Sequence, residues 1–176
     1  MNRFLFFALL SLSAVASSAQ GVSIDELYPP TNNRNIKVEE TNLPIVFINT
    51  LGSGISREDR ITARMKIVDN GTGYLNHGDT IAYPDQRVDY EGYIGLKYRG
   101  NSSFEKSDKK PYGFKTLEQT IEEGGKKQKV SLLGMGKDND WALLAPFADK
   151  SMIRDVLTFE LARPYFGYTP HSRFCE

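Results

Sequence analysis

Short strand-forming segments recur between residues 43 and 133, and they constrain the fold more than any other feature. Residues 61–69 and 91–100 alternate with period two, which is typical of half-buried strands. Three further strand-forming runs, bounded by turn-forming residues, lie at residues 43–50, 111–117 and 128–133. Residues 43–133 are therefore predicted to form a sheet.

A different period follows the predicted sheet. In residues 149–163, Ile153, Leu157 and Leu161 recur at every fourth position, which predicts an amphipathic helix. Asp149 is its predicted N-cap, because a carboxylate can accept a hydrogen bond from a free N–H of the first turn. We expect the helix to lie on the sheet and a last strand to begin at Arg173. Strands followed by one main helix predict an α+β fold.

The N-terminus has the pattern of a secretory signal peptide. Arg3 precedes a short apolar run, and Ser17 and Ala19 fit a signal-peptidase site, so cleavage is predicted after Ala19. The run is too short to span a bilayer, so no transmembrane segment is expected after cleavage. The sequence predicts a secreted, periplasmic or cell-surface protein. Residues 20–42 are polar and contain Pro and Asn pairs, which is typical of a linker.

Composition excludes some partners and sites. The chain has 22 basic and 22 acidic residues, without the clustered basic excess of a nucleic-acid-binding protein. One cysteine and two histidines predict no transition-metal site. Asp138-Asn139-Asp140 fits either a hard cation such as Mg²⁺ or an Asx turn that leads into a strand.

The segment Arg99-Gly100-Asn101-Ser102-Ser103 is a candidate anion-binding turn. Arginine offers a rigid charged fork, glycine lets the backbone approach a ligand, and the serines add donors. The alternative is a plain strand-ending turn in which Arg99 pairs with a structural carboxylate.

Three more basic residues are candidates for phosphate contacts. Lys109 and Lys110 open a strand, where an ammonium can neutralise a phosphate; the alternative is a solvated basic pair at a strand edge. Arg154 is predicted on the helix face away from the apolar residues, where it meets a ligand or an acidic side chain.

Three motifs occur in order: Arg-Gly-x-Ser-Ser at residues 99–103, Lys-Lys-x-Tyr at 109–112 and Asp-x-Ser-x-x-Arg at 149–154. In this the chain resembles the CotH (spore coat protein H-like) kinase family, and most closely its exported Bacteroidetes-type members. The resemblance implies a strand-rich region at 43–92 and the N-terminal part of an atypical kinase fold at 93–176. It also implies transfer of phosphate from Mg-ATP to Ser/Thr hydroxyls of a secreted protein.

By the same resemblance, six residues face the cofactor: Arg99, Ser102, Ser103, Lys109, Lys110 and Arg154. An ion pair between Glu160 and Lys110 is expected by analogy with other kinases. The family pattern continues beyond Glu176 with the metal-binding and catalytic carboxylates. The resemblance therefore implies an incomplete domain that lacks its C-terminal half and is inactive by itself. The alternative is a non-catalytic extracellular β-rich binding or surface-assembly module.

Overall fold

The computed structural model describes residues 38–176, so the predicted signal peptide and residues 20–37 of the predicted linker lie outside the described residues. The strands are β1 Glu40–Thr41, β2 Ile45–Asn49, β3 Ile61–Val68, β4 Asn76–His77, β5 Val88–Tyr98, β6 Tyr112–Leu117, β7 Val130–Ser131, β8 Lys137–Asp138 and β9 Asp140–Leu143. The helices are α1 Ser102–Lys106 and α2 Arg154–Ala162.

The main sheet is antiparallel throughout, with the strand order β2-β3-β5-β6-β9. Four of its strands lie where alternation and turn residues predicted them. The predicted strand at 128–133 is wrong in extent, because only β7 forms there and it pairs with β8 in a separate two-stranded sheet. Within the predicted linker, β1 pairs with β4. The α+β class is confirmed.

One face of the sheet carries the hydrophobic core. Alternate residues of β3 and β5 point to this face, and the loop after β7 covers it with two leucines. The core residues are Ala63, Met65, Ile67, Tyr90, Ile94, Leu96, Phe114, Leu132 and Leu133. The opposite face is largely polar, and it becomes the floor of the site described below.

Asn76 joins three segments at one edge of the sheet. Its side chain is fully buried. The amide nitrogen donates to the backbone oxygen of Leu43 at 2.8 Å, and the amide oxygen accepts the N–H of Asn70 at 2.7 Å. These two bonds fix the chain before β2 to the turn after β3.

We expect Asn76→Ala to lower the free energy of unfolding by about 1–3 kcal/mol, because it leaves two backbone groups without their partner. Asn42→Ala is the control, since Asn42 is exposed. Urea unfolding of both variants measures the difference. Equal losses for the two variants would contradict the structural role of Asn76.

The helix departs from the sequence prediction in two ways. It begins at Arg154 rather than near residue 149, because Met152 has a left-handed backbone (φ 56°) that interrupts helical geometry. The expected packing on the sheet is also wrong. No residue of α2 is buried, and the side chains of Leu157 and Leu161 are 50% and 64% exposed.

The last residues approach the edge strand β2. No strand is assigned after residue 170, so the predicted strand from Arg173 is not formed as such. Glu176 nevertheless donates its N–H to Pro44 O at 2.9 Å and accepts the N–H of Val46 at 2.8 Å, which is the bonding pattern of a parallel pair. Neither helix within residues 38–176 has the length and hydropathy that a membrane span requires.

Candidate functional site: a basic pocket at the end of strand β5

The predicted anion-binding turn lies where β5 ends and α1 begins. Gly100 has φ +86°, and a Cβ at this position would overlap the hydroxyl of Ser103. The backbone oxygen of Asn101 accepts the N–H groups of Phe104 and Glu105 at 3.0 and 3.1 Å, which starts the helix. Glycine is therefore required here by the positive φ of the turn and by the Ser103 hydroxyl that occupies the place of a Cβ.

A cavity of about 720 Å³ opens beside this turn, on the polar face of the sheet. Four cationic side chains line it: Arg57, Arg60, Lys97 and Arg99. Gly100, Asn101 and Gly113 contribute backbone and amide groups, and Asp140 is the acidic residue of the lining. Lys97 and Arg99 reach this face because they alternate with the core residues of β5.

Arg60 lies across the strands on a track made by two glycines. Its guanidinium donates to the backbone oxygens of Gly95 at 3.0 Å and Gly113 at 2.7 Å. A Cβ on Gly95 would lie 3.4 Å from the Cδ of Arg60, so the Arg60 side chain packs directly on the backbone at this glycine. Arg60 is therefore a fixed positive charge on the floor of the pocket.

Arg57 holds the turn from the other side. Its guanidinium donates to the backbone oxygen of Gly100 and to the side-chain oxygen of Asn101, both at 3.0 Å, and lies 4.7 Å from the centre of the Phe104 ring. The loop that carries Arg57 is tied to the end of β5, because Ser56 O accepts the N–H of Tyr98 at 2.8 Å.

Most of the positive charge in the pocket is uncompensated. Within residues 38–176, Arg57, Lys97 and Arg99 form no ion pair with a carboxylate. Asp140 is 3.9 Å from Arg60, but its other oxygen pairs with Lys115 at 2.9 Å. Among the described residues, Arg99 therefore has no carboxylate partner, and the alternative of a structural ion pair at Arg99 is wrong. An anionic ligand would neutralise this cluster.

The other predicted contact residues lie outside the pocket. Ser102 and Ser103 are exposed in α1, and Lys109 is exposed beyond it. Lys110 donates to the backbone oxygen of Phe104 at 2.5 Å, with its ammonium 4.7 Å from the ring centre. Arg154 is 3.3 Å from Asp149 and is otherwise exposed. The structure therefore groups Arg99 with Arg57, Arg60 and Lys97.

The three residues of the Asp-x-Ser-x-x-Arg motif bond to one another. The carboxylate of Asp149 accepts the Ser151 hydroxyl at 2.6 Å and the backbone N–H of Arg154 at 3.0 Å. The Ser151 hydroxyl, and next the Arg154 N–H, lower the pKa of Asp149 below its ordinary value. The N-cap predicted at Asp149 is wrong in position, because Ile153 is the N-cap residue; Asp149 instead accepts the N–H of the first helical residue from the preceding turn. The expected Glu160–Lys110 pair is wrong, since Glu160 pairs with Arg163 at 2.5 Å.

Asp138-Asn139-Asp140 forms the Asx turn of the two alternatives. One oxygen of Asp138 accepts the N–H groups of Asn139 at 2.6 Å and Asp140 at 3.2 Å. These bonds, with that of Asn139 the largest contribution, lower the pKa of Asp138. Across residues 38–176, no three His, Cys, Asp or Glu side chains gather as a metal site requires.

Sequence reasoning missed Arg57 and Arg60, which lie in the loop between β2 and β3. The signal that points to them is a pair of glycines inside predicted strands, Gly95 and Gly113. Glycine in a strand interior marks a place where another group approaches the backbone closely, and here that group is the Arg60 guanidinium.

Residues 96–176, somewhat less than half of the 176-residue chain, match the family model described as CotH kinase protein. The match includes Arg99 of the pocket, the Lys109-Lys110 pair and helix α2. No curated protein and no solved structure matches the chain.

Proposed function

We propose that this chain, whose residues 96–176 match the CotH kinase family model, forms the phosphate-binding part of an exported kinase. The reaction we assign to that kinase is transfer of a phosphoryl group from Mg-ATP to Ser/Thr hydroxyls of a secreted protein. The observation that carries the proposal is the pocket in which Arg57, Lys97 and Arg99 lack a carboxylate partner among the described residues.

The chemistry of the pocket suits phosphate groups. Enzymes that transfer phosphoryl groups work mainly by positioning the phosphates and neutralising their charge. Guanidinium groups bind phosphate oxygens through two parallel hydrogen bonds, which are stronger than those between neutral groups. Gly100 and Asn101 line the pocket beside Arg99, so a phosphate held by this guanidinium lies next to the turn.

The described residues fit the phosphate chain but supply no ligand set for Mg²⁺. When bound, Mg²⁺ neutralises phosphate charge, and it is commonly held by one or two carboxylates together with the phosphates themselves. Asp140 is the carboxylate in the pocket, and Lys115 and Arg60 already share it. We assign no catalytic base within residues 38–176, and we expect this part to bind phosphate without transferring it.

Arg99→Gln should weaken ATP binding about 10-fold or more, because a hydrogen bond from a charged donor contributes about 1.5–3 kcal/mol. Arg154→Gln is the matched control, since Arg154 lies outside the pocket and pairs with Asp149; we expect its affinity to stay within about 2-fold of the parent. Isothermal titration calorimetry of the full chain with ATP at fixed ionic strength measures both. A larger loss in Arg154→Gln would reject the proposed site.

A second candidate is the non-catalytic extracellular binding module. The observation that favours it is an exposed aromatic group after α2: Tyr165, Phe166 and Tyr168 are 84%, 66% and 79% exposed. Exposed apolar patches mark interaction surfaces. The same calorimetry separates the two functions, because the module has no affinity for ATP.

A further inference from the structure

The pocket offers charge but no free aromatic face. Two aromatic residues, Tyr98 and Trp141, contribute to its lining. The Tyr98 ring stacks on Tyr112 with ring centres 5.4 Å apart and contacts Phe104 at 5.0 Å. Trp141 packs against the hydrophobic core, and its indole N–H donates to Asp138 O at 3.2 Å. Both rings are therefore engaged by other parts of the protein.

Two of the three guanidinium planes in the pocket are engaged as well, and the third, that of Arg99, is assigned to phosphate by the proposed function. Arg57 lies over Phe104 and donates to the Arg99–Ser103 turn, while Arg60 lies along Gly95 and Gly113. Proteins that bind a nucleobase commonly stack it on an aromatic ring or an arginine plane and hydrogen-bond its edge. The remaining lining consists of cationic, glycine and alanine groups, one amide and the paired Asp140.

We infer that the pocket recognises the phosphate chain alone and is indifferent to the base attached to it. Its ligand class is the phosphoanhydride polyanion: inorganic tripolyphosphate and the triphosphate of any nucleoside bind alike. The inference rests on the proposed function, because it concerns the same pocket. It goes further because it states that none of the residues lining this pocket recognises the nucleobase.

The charge of the site explains why a chain of phosphates is the fitting ligand. Arg60 is fixed on the floor, and Arg57 and Arg99 flank the turn, so adjacent phosphoryl groups can each meet a cation. A single monoanion such as chloride would leave most of this charge unmatched. Because the pocket is open to solvent, salt screens the attraction and affinity falls as ionic strength rises.

The test compares ATP, GTP, inorganic tripolyphosphate and adenosine by calorimetry on the full chain at one ionic strength. We expect the three polyanions to have dissociation constants within about 3-fold of one another, and adenosine to give no binding at millimolar concentration. Arg99→Gln should weaken all three polyanions by the same factor. That common factor ties the measured binding to this pocket.

The outcomes separate the inference from the function on which it rests. ATP binding 10-fold or more tighter than GTP and tripolyphosphate, or competition by adenosine, overturns base indifference and leaves the proposed function standing. Full affinity for tripolyphosphate in Arg99→Gln places the polyanion elsewhere and overturns the inference. No binding of any polyanion overturns both the inference and the proposed function.

Discussion

Leu96→Ala is expected to lower the free energy of unfolding by about 2–5 kcal/mol. Leu96 is fully buried in β5, the middle strand of the sheet, and pairs in register with Ile61 on one side and Phe114 on the other. Removing its three outer carbon atoms loses their burial and leaves a cavity between two packed strands. Since a small domain is marginally stable, the loss is a large part of the total.

Leu161→Ala is the matched control, because it deletes the same atoms from a side chain that is 64% exposed on α2. We expect this variant to differ from the parent by no more than about 0.5 kcal/mol. Urea unfolding of the full chain, followed by circular dichroism, measures both changes. Similar losses in the two variants would mean that α2 packs in the folded protein, in disagreement with its exposure here.

The double variant Lys97→Gln/Arg99→Gln should weaken tripolyphosphate binding about 100-fold or more. Each substitution removes one charged donor worth about 1.5–3 kcal/mol, and neighbouring contributions add only in part. Neither cation is paired with a carboxylate in the described part of the chain, so their removal leaves no carboxylate without its partner. Both side chains lie on the polar face, and the core is untouched.

The control is Lys109→Gln/Lys110→Gln, which also removes two positive charges but from the loop before β6, outside the pocket. We expect its affinity for tripolyphosphate to change less than about 3-fold. A thermal melt of both double variants shows whether either has lost its fold, since Lys110 also bonds to Phe104 O. If Lys109→Gln/Lys110→Gln weakened tripolyphosphate binding more than Lys97→Gln/Arg99→Gln did, the phosphate would be assigned to the Lys109-Lys110 pair instead.

The sheet was predictable because side chains along a strand alternate between two faces, and one face of this sheet is buried. In β3 and β5 the alternating residues reach the core as expected, with Ala63, Met65 and Ile94 almost fully buried. The start of α2 was not predictable from the apolar period. Asp149 takes the Ser151 N–H at 3.1 Å and the Arg154 N–H at 3.0 Å, so a side chain closes a turn where helical bonding was expected.

The candidate site was predictable only in part. Arg99 and Gly100 stand together in the sequence, and their turn is local. Arg57 meets this turn through hydrogen bonds to residues more than 40 positions away, and Arg60 is placed by backbone oxygens that alternation does not reveal. Lys109, Lys110 and Arg154 are suitable residue types, but the bonds of Lys110 and Arg154 to Phe104 O and Asp149 keep those two elsewhere.

The measurement that tests the anion pocket most directly is a two-dimensional ¹H–¹⁵N NMR titration of the full chain with tripolyphosphate. The pocket predicts the largest shifts at the side-chain Nε–H of Arg57, Arg60 and Arg99 and at the backbone amides of Gly100 and Asn101. Arg154 Nε–H and the amides of Lys109 and Lys110 should stay unmoved. Shifts centred on those three residues, with the Gly100 turn unaffected, would contradict the pocket described here.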